Sequence, residues 1–309
     1  MKRDAFTLVE LLVVMALIAI LATLTIAFFP GAATSDREAR AAMTLQGWLN
    51  IAKQKALRDQ APRGLRLFVG TATAGAATIP NAVTNCQYLE LPDDFSGGSV
   101  ETGMPVPPPA LPPGDTPLNY LRFTGANLFN DYTPADPPAY WAVQPNDTIE
   151  VLGSGMMHRI TNVGVPNSAG VIDMSHVRIV PPLPYPLIRT QAYRIVRQPR
   201  PVGDELKLPD GSIIDVATNT AFAGALNPLP VGSAPNTIDI LFAPPGTVLS
   251  PVVTDKLHLW VRSPNPDDGV NGTNPFRGSP TLVSIFVRTG AVGAFPPAQT
   301  GTDPYVLVR

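Results

Sequence analysis

The side chains that could act as metal ligands or nucleophiles are few and widely spaced in this sequence. The histidines are His158, His176 and His258, and Cys86 is the single cysteine. The histidines are too far apart in the sequence for an HExxH pattern. A single cysteine cannot form an intramolecular disulfide. A G-x-S-x-G elbow is missing, and the Gly/Ala-rich stretch 70–77 lacks the Lys-Ser/Thr of a phosphate loop. We therefore expect no enzymatic activity, no catalytic residues and no cofactor, although a site built from distant residues stays open.

Two short patterns come closer to a functional site. Asp173 and His176 lie three residues apart on an expected strand, where their side chains would point to opposite faces. The run from Asn265 to Asn274 is rich in the oxygen donors that Ca²⁺ prefers. The same residues are what a tight turn requires, and no bidentate Glu follows them. We expect no metal site, and calcium binding by this loop stays an open alternative.

Basic residues are concentrated in one place. The run consists of four arginines, Arg189, Arg194, Arg197 and Arg200. Such a run could contact the phosphates of DNA. However, Asp204 and Glu205 follow directly, Tyr193 is the only aromatic residue among the arginines, and the net charge is −2. A solvated strand face is the better interpretation, so we do not expect nucleic acid to be a partner.

One carboxylate stands where its charge is costly. Glu10 lies within Phe6–Phe29, a 24-residue segment whose only other polar residues are threonines. At about 1.5 Å per residue, a helix of this length would cross a hydrocarbon core of about 30 Å. An ionised carboxylate near the centre of such a helix costs about 2.5–3.5 kcal/mol. The segment is therefore predicted to span a membrane, with a charge that needs an explanation.

The flanking charges predict how this segment is oriented. Lys2 and Arg3 precede it, and the next basic residue is Arg37. The positive-inside rule then keeps the N-terminus in the cytoplasm and exports the rest of the chain. A cleaved secretory signal, with small residues at 31–33, and a plain signal anchor both fit this pattern. Neither explains Glu10 or the five-residue leader MKRDA.

The stretch A-F-T-L-V-E-L-L-V-V, residues 5–14, resembles the class III signal of type IV pilins and type II secretion pseudopilins. The resemblance implies that prepilin peptidase cuts between Ala5 and Phe6 and methylates the new N-terminus. Ala5 departs from the usual Gly but preserves its small size. In a filament, Glu10 would pair with the Phe6 amine of a neighbouring subunit, so that a buried charge is satisfied on assembly. The partners implied are prepilin peptidase, other pilins and the membrane.

The region after the apolar segment is predicted to continue the helix. Pro30-Gly31 should interrupt it, and Ser35 with Glu38 forms a capping-box pattern for a new start. Small and apolar residues then recur at helical spacing, at Ala42, Leu45, Leu49, Ala52 and Ala56. The predicted stripe should pack on a head domain. We expect a leader at 1–5, a transmembrane half at 6–29, an amphipathic half at 30–60 and a head at 61–309.

The head should be β-rich, because 36 prolines and 25 glycines separate short runs of strand-forming residues. The strands expected are Gly64–Val69, Leu118–Phe123, Val171–Val180, Ala192–Val196, Thr237–Phe242, Lys256–Val261 and Leu282–Val287. Met104–Pro117 holds seven prolines and should be an extended loop. The predicted fold is α+β, with a long N-terminal helix packed on an antiparallel sheet or sandwich.

Three passages resemble the GspH/FimT class of minor pseudopilins. They are Ala52–Phe68, at the passage from helix to strand, Ile238–Val248, with its F-x-P-x-G turn, and Leu282–Val292, with its Thr-Gly turn. Members of this class are shorter, so residues 71–170 would be an insertion.

The resemblance implies a structural subunit of a type II secretion or type IV pilus-related filament, anchored in the inner membrane with a periplasmic head. One alternative is a surface-exposed minor pilin whose head binds DNA, glycan or a secreted substrate. Another is a tethered extracytoplasmic enzyme.

Overall fold

The computed structural model describes residues 8–28, 32–74, 77–216, 229–230, 232–249, 255–265, 276–298, 305 and 307–308. Two α-helices begin the described chain, α1 at Leu8–Phe28 and α2 at Ala32–Asp59. The predicted break at Pro30-Gly31 lies outside these residues. Everything that follows α2 is built from strands, turns and three short 3-10 helices in the described ranges.

All strand pairings among the described residues are antiparallel. Their bounds are β1 Arg63–Ala74, β2 Ala77–Glu90, β3 Ser99–Thr102, β4 Tyr120–Thr124, β5 Thr148–Val151, β6 Met157–Pro166, β7 Ile172–Val180, β8 Tyr193–Val196, β9 Arg200–Lys207, β10 Ile213–Asp215, β11 Thr237–Phe242, β12 Val248–Leu249, β13 Lys256–Pro264, β14 Phe276–Phe286 and β15 Ala291–Phe295.

All seven expected strands coincide with observed ones, and Thr237–Phe242 has the predicted bounds. The start of one was wrong, because Pro117–Asn119 forms a 3-10 turn before β4. The remaining strands were not predicted. The α+β fold class, with a helix on an antiparallel sheet, is confirmed.

The first sheet, here called the head sheet, carries the helix α2. Its order is β12-β11-β1-β2-β10-β13-β14-β15, and β9 also pairs with β2. The predicted stripe on α2 is confirmed, since its five side chains are fully buried against this sheet. Its counterparts in the sheet include Leu65, Ile240, Leu259 and Ile285. Burying this apolar surface is what holds α2 to the sheet.

The start of α2 differs from the prediction. The helix begins at Ala32, so Ser35 is a helical residue and not the N-cap. Glu38 does not reach back to a cap either, because its Oε1 accepts a hydrogen bond of 2.9 Å from the backbone N–H of Ser263 on β13. A tertiary contact has therefore replaced the local capping box.

The second sheet closes into a small barrel, called the barrel from here on. Its order is β3-β4-β7-β6-β5-β8. Paired backbone hydrogen bonds of 2.7–2.9 Å join Phe95 to Ile195 and Val100 to Gln191, which links the two outer strands. All six strands contribute buried side chains to one core, including Leu121, as expected for a barrel of this size.

The barrel leaves and rejoins the head sheet at a single place. Glu90, the last residue of β2, pairs with Arg200, the first residue of β9. The Arg200 guanidinium donates hydrogen bonds of 2.8 Å to the carbonyl oxygens of Trp141 and Ala142 in the barrel. It also lies 3.6 Å from the buried carboxylate of Asp147. These contacts fix the barrel on the head sheet.

Candidate processing and assembly site

The helix α1 presents one carboxylate on an otherwise apolar surface. Glu10 lies in its first turn and is exposed, as are all residues from Leu8 to Thr23. The Thr23 hydroxyl bonds back to the carbonyl oxygens of Ala19 and Ile20, at 3.0 and 2.8 Å. Its polar group is thus satisfied inside the helix. Glu10 is the only ionisable side chain in the stretch from Leu8 to Thr23, and its exposure lets a group from outside the helix reach it.

The predicted cleavage and methylation residues, Ala5 and Phe6, lie outside the described residues. Their geometry relative to Glu10 therefore stays a prediction. Within the described ranges, no helix combines the length and the hydropathy needed to cross a membrane.

The joint between α2 and the head sheet brings together the passages that suggested the minor pseudopilin class. The turn after β11 contains Gly246, and the turn after β14 contains Gly290, both with positive φ. A Cβ on Gly290 would collide with the carbonyl oxygen of Gly246. Lys53 of α2 donates a 2.8 Å hydrogen bond to the carbonyl oxygen of Thr289, and its Cε would lie 2.9 Å from a Cβ on Gly246. Only glycines allow this approach.

A second contact at this joint was missed from the sequence. Glu38 is fully buried, and burial raises the pKa of its carboxyl group to about 7, against the opposing effects of the Ser263 hydrogen bond and the nearby Arg262. Its Oε2 and the hydroxyls of Ser212 and Ser263 are buried without a partner among the described residues. An acidic residue three positions after a serine looked like a cap, and only the tertiary structure shows its role.

Asp173 and His176 were predicted to lie on opposite faces, and this is wrong. His176 Nδ1 lies 3.0 Å from Asp173 Oδ2 and 3.1 Å from the hydroxyl of Ser175. The cause is a bulge: four residue steps on β7 face only two on β6 at this point. His176 is only 3% exposed, whereas Asp173 and Ser175 are half-buried.

The arginine run does not form one exposed basic patch. Arg194 pairs with Glu150 at 2.8 Å, and the Arg197 Nε donates to the carbonyl oxygen of Asp93 at 2.5 Å. Arg200 is occupied by the barrel contacts described above, which leaves Arg189 in an exposed loop. Three of the four arginines that would contact phosphates are thus engaged by other groups of the protein.

The other candidate ligands are either separated or outside the described residues. In the possible calcium loop, only Asn265 is described. His158 and His258 are buried in different parts of the chain, where their Nδ1 atoms contact the carbonyl oxygen of Pro181 and the hydroxyl of Ser284. No group of three or more His, Cys, Asp or Glu side chains suited to a metal ion occurs in the described ranges.

Comparison with known proteins identifies the N-terminal segment. Residues 1–26 match the family model of the prokaryotic N-terminal methylation motif. No curated protein and no solved structure matches the chain. The matched residues include Ala5, Phe6 and Glu10, which the sequence singled out. The match indicates a type IV pilin-like precursor that is processed by prepilin peptidase.

Proposed function

We propose that this protein is a minor pilin-like subunit of a type II secretion or type IV pilus-related filament, close to the GspH/FimT class. The observation that carries the proposal is the methylation motif at residues 1–26, followed by a helix packed on an antiparallel sheet. Prepilin peptidase would cut between Ala5 and Phe6. The proposed role is structural and not enzymatic.

Before assembly, the subunit would be held in the inner membrane by residues 6–29. This range extends beyond the described part of α1 to Phe6 and Phe29, and its only charge is Glu10. The head would lie in the periplasm, as the positive charges at Lys2 and Arg3 favour. In the filament, the Glu10 carboxylate would pair with the N-terminal amine of Phe6 in the next subunit. This pairing would set the axial register of the subunits.

The test is the mature mass of the protein, expressed with and without prepilin peptidase. When the peptidase is present, we expect the protein to lose the mass of residues 1–5 and to gain that of one methyl group. Without the peptidase, we expect the full mass. Ala5→Arg should block the cut, because a long charged side chain replaces the small one. Ala5→Gly is the matched control and should be cut. An unchanged mass with intact MKRDA would refute the proposal.

A second candidate function is favoured by the barrel. We propose that residues 91–199, and not 71–170, form the elaboration that distinguishes this chain from short minor pseudopilins, because most of 71–90 lies in β1 and β2 of the head sheet. The chain enters the barrel after Glu90, which pairs with Arg63. Arg63 follows closely after the C-terminal end of α2. An element at that end would be free to bind a target outside the filament. The engagement of Arg194, Arg197 and Arg200 within the protein disfavours DNA as that target.

A further inference from the structure

The loop between β4 and β5 is held on the barrel by two aromatic anchors. Phe129 and Trp141 are buried in the barrel core, with their ring centroids 4.7 Å apart. The N–H of Val143 donates a 3.0 Å hydrogen bond to the carbonyl oxygen of Leu128, which closes the base of the loop. This is the construction of a compact surface loop with its own small core.

Two tyrosines of the loop, which lie between these anchors in the sequence, are exposed and not part of the barrel core. Tyr132 and Tyr140 are 41% and 55% exposed, and their rings stack on each other with centroids 5.2 Å apart and planes 25° apart. The stacked pair therefore presents its exposed aromatic surface to the solvent.

The loop is also rigid in this conformation. The carboxylate of Asp136 accepts hydrogen bonds of 2.8 Å from both the N–H and the hydroxyl of Thr133. The Trp141 Nε1 donates to the carbonyl oxygen of Thr133 at 3.2 Å. Three of the seven residues between the tyrosines are prolines, at positions 134, 137 and 138. A ligand would therefore find the surface already formed, which lowers the entropic cost of binding.

The charges around the tyrosines narrow the class of ligand. Asp131 and Asp136 are the only charged residues between Gly125 and Asn146. Among the described residues, neither carboxylate has a Lys or Arg partner. A phosphate or other anion would be repelled. Sugar hydroxyl groups can donate hydrogen bonds to both carboxylates, whereas a protein partner would have to supply a Lys or Arg to pair with each of them.

We propose that the Tyr132–Tyr140 loop binds neutral carbohydrate. The apolar face of a sugar ring stacks on the outer face of a tyrosine, and the sugar hydroxyls donate to Asp131 and Asp136. Because both rings are exposed at the surface and not enclosed in a pocket among the described residues, we expect an oligosaccharide or polysaccharide chain and not a single sugar. The inference extends the second candidate function and does not depend on filament assembly.

The test uses the mature full-length chain in detergent and a panel of immobilised neutral polysaccharides made of glucose, mannose or N-acetylglucosamine units. We expect retention on at least one of them, and at least about tenfold weaker binding for Tyr132→Ala and for Tyr140→Ala, as for an aromatic hot spot. Tyr140→Phe keeps the ring and should keep most of the binding. Tyr185→Ala is the control, because Tyr185 is an equally exposed tyrosine elsewhere on the barrel. Thermal unfolding of each variant verifies folding.

Three outcomes would overturn the proposal: no neutral glycan is retained, Tyr185→Ala weakens retention as much as Tyr132→Ala, or the tyrosine variants lose a protein partner while sugar is never bound. The mature mass of the same preparation is measured in parallel. A failure of sugar binding with correct processing refutes only this inference, whereas an uncut chain refutes the proposed filament role.

Discussion

Gly246 and Gly290 lie in two turns 44 positions apart in the sequence, and the carbonyl group of Gly246 approaches Gly290 so closely that Gly290 has no room for a side chain. Gly290 has a φ of +57°, and a Cβ on it would also lie 3.3 Å from the ring of Phe242. The two turns support Lys53 at the C-terminal half of α2. This contact thus adds to the buried apolar stripe in fixing α2 on the head sheet.

We expect Gly290→Ala to lower the free energy of unfolding by about 2–3 kcal/mol, because it adds strain at a positive φ to an overlap with the Gly246 carbonyl group. Gly47→Ala is the control. Gly47 lies inside α2, and a Cβ added there would meet no atom within 4 Å, so alanine should stabilise by about 0.5–1 kcal/mol. Urea unfolding in detergent measures both. Equal effects of the two substitutions would contradict the role given to the Gly246–Gly290 contact.

The pKa of Glu38, about 7, makes the stability of the α2 joint dependent on pH. Between pH 4.5 and 7 the unfolded carboxyl group is ionised and the folded one is protonated, so unfolding releases a proton. Protonated Glu38 therefore contributes about 3 kcal/mol to the free energy of unfolding below pH 4.5. This contribution is lost as the pH rises through 7. The charged groups that face this site are Arg262 and, beyond it, Asp215.

Glu38→Gln should remove this pH dependence. We expect the difference in unfolding free energy between the wild type and Glu38→Gln to change by about 3 kcal/mol between about pH 4.5 and about pH 7.5. Urea unfolding at several pH values gives this difference directly. Parallel curves for the two proteins would show that Glu38 does not titrate in this range.

Glu10 is expected to act after processing and not during it. Glu10→Gln should be cut normally, because the scissile bond between Ala5 and Phe6 is intact. It should reduce the amount of the chain in sheared filaments at least about tenfold, since the Phe6 amine loses its charged partner. Immunoblots of the sheared and membrane fractions check both statements. Glu101→Gln, which changes a carboxylate at the surface of the barrel, is the control and should assemble normally.

Breaking the ion pair between Arg66 and Asp239 should lower the free energy of unfolding more than breaking most other ion pairs described above. Two hydrogen bonds of 2.7 Å join the guanidinium to the carboxylate, and both side chains are buried. Asp239→Ala should therefore cost about 3–5 kcal/mol, because it leaves a buried charge unpaired. The surface pair Arg122–Glu101, at 3.4 Å, is the comparison, and Glu101→Ala should cost less than about 1 kcal/mol.

A double-mutant cycle separates the pair itself from the penalty of leaving one charge alone. We expect Arg66→Met combined with Asp239→Leu to destabilise by less than the sum of the single changes. Additive effects in urea unfolding would show that the two side chains do not depend on each other. The same cycle on Arg122 and Glu101 should be nearly additive.

Local sequence pattern was sufficient to predict the helices and strands in which apolar residues recur at regular spacing. The stripe from Ala42 to Ala56 is buried as predicted, and β11 has its predicted bounds. The strand β9 was missed because R-P-V-G-D-E-L-K is largely polar and is held by pairing with β2. Closure of the barrel could not be predicted, because it joins Phe95 to Ile195 across 100 positions.

The candidate site shows the same division. Glu10 and its neighbours follow a local pattern, so the sequence was enough to single them out. The Asp173–His176 contact depends on a bulge, which is set by how β6 and β7 pair and is invisible in β7 alone. Local spacing suggested that Glu38 is part of a cap, whereas its partner is 225 positions away.

The pairing of Glu90 with Arg200 has a consequence for how this protein could change over time. Because the chain leaves and re-enters the head sheet at neighbouring positions, a tight turn between β2 and β9 would restore a plain hairpin. The barrel could thus be exchanged for another module without disturbing the head sheet. Under the proposed function, such an exchange would change the target while the filament-forming part stays the same.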